Sequence, residues 1–256
     1  MLWRKQFLGE DTPRQLLDTL VYLIGLNFAL RAGDEHRFLR VGSASQFELL
    51  VGSSGEKSLK YTEDISKTNQ GSLKHRKLER KSGTVSENHD FPERCLVRLF
   101  EKYISLKLKN GKCDSFYLRP LTFLTSDCCY ADVPVGIHPL CSTTGRLCKA
   151  AGFTGYYTNH SLRATTATRL YESGIDEQLI AERTGHKSVA IRAYKRTSGK
   201  MASTVDNIIQ RKSSRILDTK GKASATPLIS HDVEEKAKQR DLCLKLGDGT
   251  TFSMKF

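Results

Sequence analysis

Apolar side chains in the first part of the chain change from helical to strand-like spacing. Leu recurs at three- and four-residue intervals after Thr12, which suits an N-cap, and Pro13, which suits the first helical position. This pattern predicts a helix over Pro13–Leu30 with Arg31 at its C-terminal end. Short apolar-rich runs bounded by Gly and Ser then predict three strands. They are Phe38–Val41, Phe47–Val51 and Ser58–Thr62.

The chain from about residue 90 to 200 is predicted to be mainly helical, because helical spacing there is bounded by polar caps and glycine stops. The expected helices are Pro92–Leu108, Leu140–Ala151, His160–Glu172 with Asn159 as its cap, a short helix after Asp176, and Ile191–Arg196. Between them, Ser115–Pro120 is expected to be extended and Asp127–Pro139 to be a loop. The predicted fold class is therefore mainly α with a small antiparallel β-sheet.

The end of the chain has a different composition. Beyond Ser203 it is polar and basic, which predicts partial disorder, while Leu242–Phe256 alternates around a Gly-Asp-Gly turn and predicts a closing β-hairpin. We therefore divide the chain into a globular domain over residues 1–200 and a basic C-terminal segment over residues 201–256.

Net charge narrows the choice of partner. The 256 residues carry 41 Lys and Arg against 28 Asp and Glu, a formal charge of +13, which favours nucleic acid or an anionic membrane. No run approaches the roughly 18 apolar residues of a spanning helix, which argues against the membrane. The seven Cys form no Cys-x-x-Cys pair, so we expect reduced thiols and no metal site.

Three short stretches carry residues suited to phosphate chemistry. His160 and Arg163 are three residues apart and share a helix face near an N-terminus, where an anion is favoured. His186 follows a helix-ending glycine, and Tyr194 lies among cations that stabilise a phenolate. Taken singly, each of these residues is more often explained by a surface or packing role.

The order and spacing of these residues resemble the tyrosine recombinase and phage integrase family. That family has His-x-x-Arg on a helix, Gly-His about 23 residues after the Arg, and a Tyr shortly downstream; here Arg163 and His186 are 23 residues apart. Arg31 matches the family's earlier Arg, and Lys67, in Ser-Lys-Thr, matches its hairpin Lys. More narrowly, Asn159–Thr165 and Glu182–His186 resemble Crypton-type recombinases and the C-terminal domains of zinc-finger MYM-type and glutamine-rich proteins. The similarity covers roughly residues 1–200.

The resemblance implies a metal-free and cofactor-free reaction on double-stranded DNA. Arg31 and Arg163 would hold the scissile phosphate, Tyr194 would attack phosphorus to form a 3′-phosphotyrosyl link, and Lys67 would protonate the 5′-hydroxyl leaving group. His160 would assist proton transfer at the tyrosine, and His186 would donate a hydrogen bond to a phosphate oxygen. It also implies a homo-oligomer on DNA, no membrane partner and a nuclear location.

Two features depart from the family pattern. Tyr194 lies eight residues after His186, one fewer than expected, and one missing helical residue rotates the later part of the helix by about 100°. The chain also begins almost at the expected catalytic domain, so we expect the helical domain that clamps the far side of the DNA to be absent. These features keep open a domesticated module that binds DNA or protein without cutting. A helix-turn-helix regulator within His160–Arg183 is a further alternative, but it leaves Arg31, Lys67 and Tyr194 unexplained.

Overall fold

The computed structural model describes residues 1–31, 34–64, 80–107, 111–121, 128–186 and 189–195, a few positions between 199 and 210, and two strands near the C-terminus. The chain divides into two compact units, Met1–Arg211 and Lys212–Phe256. None of the helices in these ranges is long and apolar enough to cross a bilayer.

The first unit combines helices with two small antiparallel sheets. Its described α-helices are α1 Pro13–Asn27, α2 Asp34–Arg37, α3 Leu96–Ser105, α4 Ile137–Ala150, α5 Asn159–Glu172 and α6 Glu177–Thr184. Its described strands are β1 Phe47–Val51, β2 Lys57–Thr62, β3 Ser82–Ser86, β4 Leu118–Pro120 and β5 Tyr130–Pro134. Short 3₁₀ helices span Gly42–Ala44, Pro92–Arg94 and Val189–Tyr194; the last is called the Tyr194 helix below. The predicted fold class is confirmed.

Helix α1 is the centre of the larger core. The Thr12 hydroxyl accepts from the Gln15 backbone N–H at 3.1 Å, and Pro13 starts the helix, as the sequence predicts. Leu20 and Ile24 are fully buried where α1 packs against α3, α4 and α5. Aromatic rings with centroids 5.2–5.9 Å apart close the core on the sheet side. These rings include Phe28, Phe47, Tyr61, Phe100 and Phe116.

The three-stranded sheet has the order β1-β2-β3, with both neighbouring pairs antiparallel. Tyr61 of β2 lies opposite Phe47 of β1 and Gly83 of β3. Strand β3 was not predicted, because its sequence, Ser-Gly-Thr-Val-Ser, has only one large apolar residue. Within the part of the chain that the structure describes, it is an edge strand that pairs with β2, so it needs little apolar surface of its own.

A second, smaller apolar cluster lies in the C-terminal half of the first unit. It consists of four buried side chains from α5, α6 and the Tyr194 helix. They are Ala167, Tyr171, Ile180 and Ile191. Helix α6 begins at its Asp176 cap, which accepts from Gln178 N at 2.9 Å, and ends at Gly185 with φ +71°, as predicted.

Three predictions of local structure were wrong. Helix α1 stops at Asn27, so Arg31 lies in the connection to α2 and not at a helix end. Phe38–Val41 makes only a single bridge, from Arg40 to Ser115, because the chain before it turns into α2. The predicted loop before α4 contains β5, since Tyr130 is fully buried there.

The second unit contains an antiparallel hairpin of β6 Asp241–Lys245 and β7 Thr251–Lys255. The Gly-Asp-Gly sequence from which the hairpin was predicted lies between these two strands in the chain.

Candidate active site

Helix α5 supplies two of the predicted residues. The backbone N–H of Thr158 donates to the Ser161 hydroxyl at 3.1 Å, which fixes the first turn, so the cap is Thr158 and not the predicted Asn159. Asn159 is instead buried, and its amide oxygen accepts from the Thr144 hydroxyl at 2.7 Å. This anchor fixes the start of α5 against α4, with His160 exposed and Arg163 buried one turn later.

The carbonyl of Ala29 is the point where distant segments meet. Ala29 has φ +48°, a left-handed conformation that costs free energy for a residue with a side chain. Its oxygen accepts from Arg163 Nη1 and from Lys81 Nζ, each at 3.0 Å. The connection after α1, helix α5 and the residue before β3 are therefore joined through one backbone oxygen.

Arg31 lies two residues after that carbonyl. Its backbone N–H donates to Glu35 Oε2 at 2.6 Å, and its Nε lies 3.5 Å from Glu35 Oε1, while 42% of its side chain remains exposed. Burial, and then the nearby charge of Arg31, lower the pKa of Arg163. The guanidinium groups of Arg31 and Arg163 therefore act on one another and form a positive site.

The Tyr194 hydroxyl lies next to His160, and its charge acts on Arg163. It lies 3.0 Å from His160 Nε2, and its ring centroid is 5.4 Å from that of His186. Tyr194 is the last residue of a 3₁₀ helix, not a residue of the α-helix that the sequence predicted. The Thr168 hydroxyl also donates to the Tyr194 carbonyl at 3.2 Å, which ties the Tyr194 helix to α5.

Hydrogen bonding at His186 constrains its tautomer. The Thr184 hydroxyl lies 2.6 Å from the Ile180 carbonyl, to which it donates, and 2.7 Å from His186 Nδ1. A hydroxyl has one proton, so His186 Nδ1–H is the donor of the second bond. Burial first, and then the charges of Arg163 and Arg31, lower the pKa of His186 to about 4. The neutral ring therefore presents the lone pair of Nε2 to the site.

The structure thus brings together five of the six predicted residues: Arg31, His160, Arg163, His186 and Tyr194. Lys67 lies outside the described residues.

Sequence reasoning missed Lys81, which reaches the same site from the start of β3. The only sequence signal was its position at the end of a basic run, immediately before the Ser-Gly-Thr strand, and such runs are usually solvated.

Arg183 links α6 to the same strand. Its Nη1 donates to the Thr84 carbonyl at 3.2 Å, and its guanidinium lies 5.6 Å from the centre of the Phe28 ring. A side chain at Gly83 would meet Arg183 at 2.4 Å, so the glycine permits this approach. Arg183 therefore joins the end of α6 to β3.

Comparison with protein families agrees with this arrangement. Residues 1–149 match the family described as "Domain of unknown function (DUF3504)". The chain belongs to this family. Residues 140–200 of the DUF3504 chain also match the phage integrase family, and they contain His160, Arg163, His186 and Tyr194. Arg31 and Lys81 lie in the range that matches DUF3504, so residues from both matched ranges contribute to the site.

Two curated relatives and one solved structure are similar to the DUF3504 chain. Zinc finger MYM-type protein 2 is 31% identical in Homo sapiens and 32% in Mus musculus over 130 residues. This match covers 46% of the chain and 9% of the relative's length. The XerH site-specific recombinase in a post-cleavage complex with its difH substrate superposes with a TM-score of 0.53 at 17% identity, covering 82% of this chain and 50% of that one. The fold is therefore that of tyrosine recombinase catalytic domains.

Proposed function

We propose that this chain cuts and rejoins double-stranded DNA through a 3′-phosphotyrosyl intermediate on Tyr194. One observation carries the proposal: the Tyr194 hydroxyl lies 3.0 Å from His160 Nε2, and Tyr194 and Arg31 both act electrostatically on the Arg163 guanidinium. A phenol next to a proton acceptor and a positive phosphate site has the parts that nucleophilic attack on a phosphodiester requires.

Each step of the proposed reaction is assigned to one or two of these residues. Arg31 and Arg163 bind the non-bridging oxygens and stabilise the negative charge that accumulates in the transition state. Tyr194 Oη attacks phosphorus and its proton passes to His160 Nε2. The bond from phosphorus to the 5′ oxygen breaks, and that oxygen takes a proton from a lysine, for which Lys67 is the sequence-based prediction. Because the phosphotyrosyl link retains the ester, the reverse steps rejoin DNA without ATP.

The role of His186 depends on its tautomer. A neutral ring with its proton on Nδ1 cannot donate from Nε2 to a phosphate oxygen. The charge of a bound phosphodiester raises the pKa of His186 from about 4 towards its ordinary value and so favours the doubly protonated ring. We propose that His186 becomes a donor to phosphate only as negative charge develops in the transition state.

The basic segments supply DNA affinity in this proposal. Residues 57–81 contain eight Lys or Arg against three acids, and residues 192–222 contain nine against two. Contacts from such segments to phosphates position the duplex without reading its sequence, and they weaken steeply with salt. Exchange of strands between two duplexes needs more than one active site, so we propose a homo-oligomer on DNA that acts in the nucleus.

Covalent capture on nicked suicide duplexes tests the proposal. A pool with a randomised core is incubated with the full chain, denatured, and separated to detect protein linked to DNA. Wild type is expected to form the adduct, Tyr194→Phe to form none, and Tyr156→Phe to behave as wild type, because Tyr156 is 92% exposed and lies outside the site.

Two outcomes would count against it. An adduct that persists in Tyr194→Phe assigns the nucleophile elsewhere. Salt-dependent DNA binding without any wild-type adduct would identify the chain as a binding module that no longer cuts.

A further inference from the structure

Arg183 contacts both halves of the candidate site. Its backbone belongs to the last turn of α6, three residues before His186. Its guanidinium donates to the Thr84 carbonyl of β3 at 3.2 Å and lies 5.6 Å from the centre of the Phe28 ring, which belongs to the larger core. Phe28 immediately precedes Ala29, the residue whose carbonyl anchors the cations. Arg183 therefore connects the helix before His186 with the segment that supports the positive site.

Burial of the Arg183 guanidinium costs free energy. The side chain is half-buried, and desolvation lowers its pKa. Among the residues that the structure describes, no carboxylate forms an ion pair with it, so the carbonyl and the aromatic ring are its partners. The planar guanidinium fixes the direction of these contacts as well as their length, which an apolar side chain cannot do.

Gly83 makes room for this guanidinium on β3. A methyl group at Gly83 would overlap Arg183 Nη1 and would lie 3.2 Å from Cζ. Gly83 has no positive φ, so its backbone conformation is open to residues with a side chain. The approach of Arg183 therefore gives the physical reason for glycine at this position.

We propose that Arg183 is a positioning residue for DNA cleavage, which holds the end of α6 against β3 and so sets the place of His186 beside Tyr194. This inference rests on the proposed cleavage reaction and gives a role to a residue outside the six that the sequence predicted. Arg183 acts through His186, whose ring centroid lies 5.4 Å from that of Tyr194. A displacement of about 1 Å at an active site is enough to slow a reaction about 100-fold.

Arg183→Met separates positioning from DNA binding, because it keeps an unbranched side chain and removes the guanidinium. Adduct formation on the nicked duplexes with a randomised core is measured over a range of protein concentrations. We expect the maximal rate to fall about 10- to 30-fold, while the half-saturating concentration stays within about twofold of wild type. Weaker binding at an unchanged maximal rate would make Arg183 a DNA contact and would overturn the proposal.

Gly83→Ala displaces the guanidinium without removing it, and it provides the same test if Arg183→Met does not fold. We expect it to slow adduct formation about tenfold. In the Arg183→Met background the further loss should be less than about twofold, because the methyl group then has no guanidinium to displace. Losses that multiply in the double variant would contradict the proposal. Ser82→Ala, at the exposed neighbouring position of β3, is the control and should behave as wild type.

A second double variant tests the path through His186. His186→Gln removes the imidazole, and we expect it to slow adduct formation by at least as much as Arg183→Met does. Adding Arg183→Met to His186→Gln should then slow the reaction by less than about a further threefold, because the ring that Arg183 positions is already absent. A full additional loss would show that Arg183 supports the fold or another residue, and the assignment would be wrong.

Arg98→Met is the matched control for the loss of a half-buried arginine. Arg98 Nε donates to the Pro92 carbonyl at 2.9 Å, and the residue lies on α3, outside the site. The midpoint of thermal unfolding should fall in both variants, whereas only Arg183→Met should slow cleavage. An equal loss of cleavage in Arg98→Met would show that reduced stability explains both results, against the proposal.

The titration of His186 gives a readout that needs no cleavage. Burial is the main cause of its pKa of about 4. The charged and titratable groups that also lower this pKa are Arg163, Arg31, Lys81 and His160. Arg183 is not one of these groups, so a changed pKa reports a displaced ring and not a lost charge.

NMR titration of protein with labelled histidine measures this pKa directly. We expect the pKa of His186 to rise from about 4 in wild type to above about 5 in Arg183→Met and in Gly83→Ala, because the displaced ring is more hydrated. An unchanged pKa in both variants would contradict the proposal.

The inference and the proposed function can fail separately. A wild type that forms no adduct contradicts the cleavage reaction, and the histidine titration still decides whether Arg183 positions His186. An active wild type whose rate is unchanged in Arg183→Met and in Gly83→Ala would overturn the role of Arg183 while cleavage stands.

Discussion

The two apolar clusters of the first unit hold different halves of the site. The larger core surrounds α1 and is closed by stacked and tilted aromatic rings, and its Ala29 carbonyl anchors the cations Arg163 and Lys81. The smaller cluster has four buried side chains, and it supports the end of α6 with His186 and the 3₁₀ helix with Tyr194. The fixed positive charges thus belong to the well-packed region, and the nucleophile belongs to the thinly packed one.

This difference has a physical reason. Electrostatic stabilisation of a transition state is effective only when the dipoles and charges are already in place, which favours a rigid anchor. A nucleophile that becomes covalently bound to DNA and is later released benefits from a segment that moves at low cost. Substitutions in each region can therefore separate the contribution of the anchored cations from that of the segment that carries the nucleophile.

Loss of the anchored cation should have the largest effect. Arg163→Ala removes a phosphate ligand and the Nη1 bond to Ala29, and we expect a loss of about 100- to 1000-fold in adduct formation. Arg169→Ala on the same helix is the control, because Arg169 is exposed. The rate is measured on nicked duplexes at saturating protein. A loss shared by both variants would mean that the effect is not specific to Arg163 and its position at the Ala29 carbonyl.

A matched pair of cavities compares the two clusters directly. Ile24 and Ile180 are both fully buried helical residues, one in each cluster. Ile24→Ala should lower the free energy of unfolding by about 2–5 kcal/mol, as is usual for a well-packed core. Ile180→Ala should lower the free energy of unfolding by less than Ile24→Ala does, but it should slow adduct formation more. Chemical denaturation measures the loss of stability, and cleavage assays measure the loss of activity. If Ile180→Ala lost more stability and less activity than Ile24→Ala, the assignment of the nucleophile to the smaller cluster and of the cations to the larger core would be contradicted.

The larger core also contains a titrating group of its own. His36 is fully buried, its Nδ1 lies 3.1 Å from the Tyr117 hydroxyl, and burial lowers its pKa to about 4. Below pH 6.5 His36 is protonated in the unfolded chain, whereas in the native state its imidazole stays neutral until about pH 4. The free energy of unfolding should therefore fall as the pH drops through this window, by about 3 kcal/mol.

His36→Leu should remove about 3 kcal/mol of that dependence between pH 6.5 and 4 and leave the part that comes from His186, whose pKa is also lowered to about 4. The measurement is urea denaturation at a series of pH values. A wild-type stability that does not change between pH 6.5 and 4 would show that His36 titrates normally and is accessible to water.

The smallest effect is expected at the hydrogen bond that orients His186. Thr184→Val removes the hydroxyl that accepts from Nδ1–H while keeping the shape of the side chain. We expect a loss of about tenfold in adduct formation, and rescue by Thr184→Ser, with thermal stability nearly unchanged. Wild-type cleavage by Thr184→Val would show that the tautomer of His186 does not matter to the reaction.

The sequence predicted those parts of the fold that depend on local chemistry. Thr12 and Pro13 start α1, and Asp176 and Gly185 bound α6, as their capping preferences indicated. The positions of His160 and Arg163 on one helix were predicted from their spacing. These features need only neighbouring residues, so a single sequence contains them.

The parts that were missed depend on tertiary pairing. Strand β3 is polar and forms because β2 offers it a free edge, and Lys81 enters the site because that strand begins there. The left-handed Ala29 is likewise fixed by the two cations that its carbonyl binds, and no local preference of alanine indicates it. Long-range partners of this kind leave no periodic pattern in the chain.

Mapping the covalent adduct is the most direct test of the account. Wild-type protein is trapped on nicked DNA, digested with nuclease and protease, and the nucleotide-linked peptide is identified by mass spectrometry. We predict one modified peptide, in which Tyr194 carries the nucleotide through a 3′ phosphate. A nucleotide found on any other side chain, or attached through a 5′ phosphate, would contradict it.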